Sequence, residues 1–191
     1  MRGRRPRLGA ALAAAALLLV AAGCVTAPPQ TYYYTLALPA VERTEDSPSI
    51  EAGRFRATEP LQRHAILIRT APTELEYYAN HRWAARLDDL TQQELQRFFG
   101  LPDVREDTVA LSGTILAFEQ VEHAGEVEAH VRIEAEGRRK SASPEAPPLF
   151  REYFEARVQA ASHTPQAVVR ALCEALGRVA ADMAEAVQRS L

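Results

Sequence analysis

The residues able to do chemistry are few and scattered. The five histidines, His64, His81, His123, His130 and His163, form no H-E-x-x-H pair and have no cysteine at zinc-ligand spacing. His123 and His130 fall in one expected hairpin, but a turn centred on Ala124-Gly125 offsets them along the strands. They read as solvated hairpin histidines, so no metal is expected. Ser112-Gly113 lacks the first glycine of a G-x-S-x-G elbow and sits inside an apolar stretch. No glycine loop is built to cradle phosphate. Asp88-Asp89 fall on the wet side of an expected helix, and Cys173 lies beside Leu172 as a small apolar filler. No catalytic residue is assigned, and the chain reads as a non-enzyme without a soluble cofactor.

One thiol is different. Arg2, Arg4, Arg5 and Arg7 precede an apolar run, Leu8 to Val20, and Ala21-Ala22-Gly23 then leads into Cys24. Basic, apolar and small segments in that order make a secretory signal over residues 1–23. The apolar run has 13 residues. At ~1.5 Å per residue it is too short to cross a ~30 Å hydrocarbon core. A cysteine directly after Ala-Gly resembles a bacterial lipobox. That resemblance implies cleavage before Cys24, a diacylglycerol in thioether linkage to its sulfur, and acylation of the new amine. Two or three chains, at ~0.8 kcal/mol per buried CH₂, hold a protein on a membrane where one does not. Val25 follows where an Asp would retain a lipoprotein in the inner membrane, so sorting to the outer membrane is expected. Residues 24–31 serve as the lipidated cysteine and tether. The six residues Val25–Gln30 extend at most ~20 Å, which keeps the following domain near its bilayer.

Elements must then be found for residues 32–191. Tyr32 to Leu38 reads as a strand, residues 40–53 as a loose polar loop, and Phe55 to Thr58 as a short strand. Ala65 to Arg69 and Glu74 to Tyr78 suit a hairpin. Leu87, Leu90, Leu95 and Phe98 share one face of a helix over 87–99, with Asp88, Gln92, Gln93 and Gln96 mostly outward. Gly100 and Pro102 stop it. Val109 to Gln120 is a strand with Gly113 as a bulge or close-approach point. Val127, Ala129, Val131, Ile133 and Ala135 alternate with polar residues, giving a strand with one dry face. After a polar loop, Gly137 to Pro148, Phe150 to Val158 gives a last strand. Thr164 and Pro165 start a long final helix with an apolar stripe through Leu172 and Leu176. The order β-β-β-β-α-β-β-β-α predicts a two-layer α+β domain, an antiparallel sheet with two helices packed on one face.

Composition excludes several classes. The 191 residues are 47% hydrophobic and 25% charged, which suits one globular domain with an appendage. The formal charge is −3 overall. Without the four signal arginines it becomes −7 (18 basic, 25 acidic), so nothing supports nucleic-acid binding. Two cysteines cannot build a disulfide scaffold.

Tyr77, Tyr78, His81, Arg82 and Trp83 cluster between the end of the second hairpin strand and the following helix. Trp, Tyr and Arg are the types enriched at interface hot spots. Tyr77, Tyr78, Arg82 and Trp83 are therefore candidate contacts to a protein partner or to a second copy of the chain in a homo-oligomer. Trp83 alternatively plugs the core end. Alternation puts Tyr77 and Tyr78 on opposite faces, so at least one large aromatic of the segment is expected in solvent.

The lipobox combines with Tyr33-Tyr34-Thr35-Leu36 after the tether and Ala65-Ile66-Leu67-Ile68-Arg69 before Glu76-Tyr77-Tyr78 and Arg82-Trp83-Ala84. Leu111-Ser112-Gly113 then precedes Phe118-Glu119, a hairpin and a long last helix. In that order they resemble the ABC-type transport auxiliary lipoproteins, the family of the paraquat-inducible operon lipoprotein, over about residues 32–190. The resemblance implies a non-enzymatic periplasmic accessory beside an ABC permease and ATPase and a mammalian-cell-entry (MCE) domain protein. Such systems are implicated in moving lipids or other hydrophobic molecules between inner and outer membranes. The alternative is a structural or assembly lipoprotein of an envelope complex with no transport role.

Overall fold

The computed structural model describes residues 29–39, 47–101, 107–143 and 145–191. The signal segment, Cys24, Val25, most of the tether and Pro102 lie outside the described residues.

The centre of the fold is where apolar alternation is cleanest. Strand β6 (Glu126–Arg139) pairs antiparallel with β5 (Val109–His123) and with β7 (Phe150–Gln159). Val127, Ala129, Val131, Ile133 and Ala135 are all at most 2% exposed. The β5–β6 turn has φ of 51° at Ala124 and 87° at Gly125, the positive pair a two-residue hairpin loop needs. Gly113 is required by close approach. A Cβ there would stand 2.1 Å from the Glu134 carbonyl oxygen.

Helix α2 (Pro165–Ser190) lies over β5, β6 and β7. Thr164 Oγ1 accepts from the Ala167 amide at 3.4 Å, and Pro165 opens the first turn. Val168, Leu172, Leu176, Val179, Met183 and Val187 have no exposed surface, as their spacing predicts.

The remaining strands extend the sheet in the order β1-β4-β3-β5, where β1 is Tyr32–Tyr34, β3 Ala65–Ala71 and β4 Glu74–Trp83. Strand β2 (Ile50–Ala57) pairs with the first half of β5, and β3 with the second half, along the same edge. A 3-10 turn, Glu59–Gln62, separates them. The α+β class holds, but the seven-stranded sheet is mixed, not purely antiparallel. The hairpins are antiparallel as short turns require, whereas β1–β4, β2–β5 and β3–β5 are parallel. These are pairings between strands distant in sequence, which turn signals do not report.

Helix α1 (Leu87–Phe99) occupies the predicted span and buries Leu87, Leu90, Leu95 and Phe99. Its glutamines differ from expectation. Gln96 Oε1 accepts from the Ala52 amide at 2.9 Å, and Gln92 Nε2 donates to the Ala52 carbonyl at 3.4 Å. The helix thus occupies hydrogen-bonding groups of an edge strand, a ready site for unwanted pairing. That strand begins at Ile50, inside the segment expected to be loop. Residues of both helices and of the sheet share one core cluster.

Candidate functional site

The cluster from Tyr77 to Trp83 lies within β4, so β-alternation and a bulge decide what it shows. Trp83 is 2% exposed and packs edge-on to Phe118, with centroids 5.6 Å apart. It belongs to the core, which removes it as a partner contact. Its indole is a large apolar body at the end of the sheet, where Tyr34 pairs beside it. Tyr77 and Tyr78 are both half-buried and tied down. The Tyr77 hydroxyl donates to the Pro60 carbonyl at 3.1 Å, with the Arg63 guanidinium 4.7 Å over its ring. On the other face the Tyr78 hydroxyl donates to Gln120 Oε1 at 2.6 Å. Burial pushes the Tyr78 phenol above its ordinary value, and Glu122 adds to the effect. Of the four candidates only Arg82 is exposed.

The exposed aromatic surface lies one strand further out. Tyr32 and Tyr33 of β1 are 42% and 66% exposed. They pair with His81 and Arg82 and point to opposite faces of the sheet. His81 is the keystone on the helix side. Tyr32 stacks on it at 5.1 Å and 9°, Tyr78 meets it edge-on at 5.4 Å, and the Tyr34 hydroxyl lies 2.8 Å from its Nδ1. Sequence reading placed His81 in the cluster but missed its β1 partners, because β1–β4 pairing joins residues 49 positions apart. The run Tyr32-Tyr33-Tyr34 was the available signal: three large rings cannot all enter one core.

The helix-free face of the sheet carries a second polar network. Glu119 is 2% exposed, and Arg69 binds it with two bonds of 2.8 and 3.0 Å. His130 Nδ1 lies 3.4 Å from the same carboxylate and its Nε2 is 2.9 Å from Glu155. Burial raises the Glu119 pKa, but hydrogen bonds from His130 and Arg69 outweigh it and hold the carboxyl below its ordinary value. Nearby, Arg54, Arg56, Ser112, Thr114, Glu134 and Arg151 line an open groove of about 410 Å³. Its lining contains no histidine or cysteine beside Ser112.

Among the described residues no three His, Cys, Asp or Glu stand together as a metal site. His123 pairs with Glu126, while His130 faces Glu119, so the two hairpin histidines stay apart. Burial pushes the Cys173 thiol up, partly offset by a bond from the Ala37 amide. An inert thiol is the result. Among the described residues no helix is long and apolar enough to cross a membrane.

The architecture is a two-layer α+β domain with solved counterparts. A Xanthomonas campestris protein of the DUF330 family superposes with a TM-score of 0.68 at 18% identity, covering 83% of this chain and 98% of its own. The crystal structure of an uncharacterized protein gives 0.65 at 14% identity, covering 82% and 98%. No curated protein sequence matches the chain. The sequence profile of the ABC-type transport auxiliary lipoprotein component matches residues 34–184, and the chain belongs to that family.

Proposed function

We propose that this chain is an outer-membrane-anchored periplasmic accessory of an ABC transporter and MCE-type system. It holds the envelope-side machinery that moves lipids or other hydrophobic molecules between the two membranes, without catalysing a reaction. The observation that carries this reading is the family match from residue 34, directly behind a basic–apolar–small–Cys24 start. The Cys24 sulfur takes the diacylglycerol, and Val25 in place of Asp releases the chain to the outer membrane. The domain itself supplies a body built on one continuous buried core, with Arg69 paired to Glu119 and Tyr78 to Gln120.

Two measurements test it. Cys24→Ala should accumulate as uncleaved precursor and lose metabolic labelling with palmitate, and normal labelling of that variant would sink the anchor. The wild-type lipoprotein, purified from envelopes in mild detergent, should bring down the MCE-domain protein with the permease and ATPase. Recovery of an envelope complex lacking all three favours the structural role instead.

A further inference from the structure

We propose that the β1 edge of the sheet is the side of the domain that rests on the bilayer, with Tyr32 and Tyr33 in a zwitterionic headgroup layer. This rests on the lipid anchor at Cys24. The first argument is reach. Seven residues lie between Cys24 and Tyr32, eight steps along the backbone. Fully extended they span at most ~26 Å, at ~3.3 Å each. A diacylated Cys24 sits at the membrane surface, so the chain delivers β1 to the headgroups before any other part of the domain.

The second argument is side-chain chemistry. Among the described strands β1 is last on this side of the sheet, and Tyr32 and Tyr33 place one ring on each face, 42% and 66% exposed. A tyrosine has an apolar body and a polar tip, the combination enriched where membrane meets water. The opposite edge of the sheet differs. Strand β7 exposes Arg151, Glu152, Glu155 and Arg157, and its exposed Tyr153 lies under the Arg132 guanidinium at 4.9 Å. That edge is dressed for water. The third argument is charge. The chain without its signal carries −7, offset beside β1 by one exposed cation, Arg82, which pairs with Tyr33. An anionic bilayer would repel a domain of this net charge, so the fitting surface is zwitterionic.

The test uses the full lipidated chain in phosphatidylcholine vesicles containing a lipid with a headgroup-level nitroxide. A fluorophore is attached through Arg82→Cys, beside Tyr33, or through Tyr153→Cys at the far edge. Cys173 is 9% exposed and does not compete for label. Position 82 should lose emission to the nitroxide and position 153 should not. Adding phosphatidylglycerol should weaken the loss at 82, and Tyr32→Ser with Tyr33→Ser should weaken it further. Equal quenching at both positions, none at 82, stronger quenching with anionic lipid, or no effect of the tyrosine changes would each overturn the proposal. Mass measurement of the chain separates the two readings. A chain without lipid on Cys24 overturns the anchor and this surface together, whereas a lipidated chain without quenching at 82 overturns the surface alone.

Discussion

The two halves of the sheet are held by different physics. Strands β5, β6 and β7 lie under α2 and are joined by burial: every inward residue from Val127 to Ala135 and the α2 stripe through Leu172 are sealed. The β1–β4–β3 half, away from α2, buries Ile66, Leu67 and Trp83 in the same core but relies in addition on particular bonds, Tyr34 to His81, Tyr78 to Gln120, Tyr77 to Pro60 and Arg69 to Glu119. Burial is non-directional and tolerates repacking, whereas bonded pairs need both partners. The α2 half should therefore set global stability, and the other half should open locally first.

The largest effect expected from that contrast is in α2. Leu172→Ala or Leu176→Ala should cost about 2–5 kcal/mol, as fully buried leucines do when a cavity is left. Denaturant unfolding checks it, and a loss under about 0.5 kcal/mol would break the comparison at its strong end. Next comes Arg69→Met, which leaves the buried Glu119 with His130 alone. Arg69 keeps 33% of its side chain exposed, so the cost sits nearer about 1–3 kcal/mol than that of a wholly buried broken pair.

This pair also has a pH signature. The Glu119 pKa is depressed in the folded state. Its contribution is therefore present above the unfolded carboxyl value, about 4.3, and is lost as pH falls through the lower folded value. Removing Arg69 takes away one depressing group, so acid unfolding should begin at higher pH. Identical acid profiles for both proteins would mean the pair contributes nothing to the linkage. Smaller again is Gln96→Leu, which strips the Ala52 amide of its acceptor at the edge of β2. About 1 kcal/mol is expected, with faster exchange of the Ala52 amide as the local readout.

The same division separates what the sequence revealed from what it hid. The alternation of β6, the α1 span, the Thr164 cap and the burial of Leu172 and Leu176 were legible because each follows from local period or a cap residue. The parallel pairings were not, since β2–β5 joins Ile50 to Val109 across unrelated sequence. For the same reason sequence could not choose between partner contact and core plug for Trp83, which the structure gives to the core. Its burial comes from Phe118, 35 positions away. Gln92 and Gln96 looked like a solvated face because a polar side chain bonding an edge strand has the pattern of one facing water. Cys24 is a motif reading that lies outside the described residues. The exposed tyrosines were read as strand residues, and only β1–β4 pairing shows them on an open edge.

The smallest effect is the sharpest probe of the bonded half. Tyr34→Phe keeps the ring beside Trp83 and removes only the hydroxyl at His81 Nδ1. Both residues are half-buried, so water replaces part of what is lost. A cost of about 0.5–1 kcal/mol is expected, within the range of one neutral hydrogen bond. The global unfolding midpoint should barely move, because this bond joins β1 to β4 and is not part of the α2 stripe or of the β5–β6–β7 ladder. Exchange at Ala84, whose amide donates to the Tyr34 carbonyl at 2.7 Å, should nonetheless quicken as β1 lifts from β4. The two readouts must separate for the halves to be distinct units. If the midpoint falls as far as it does in Leu172→Ala, the sheet unfolds as one body, and the contrast between burial and bonding describes composition without consequence for stability.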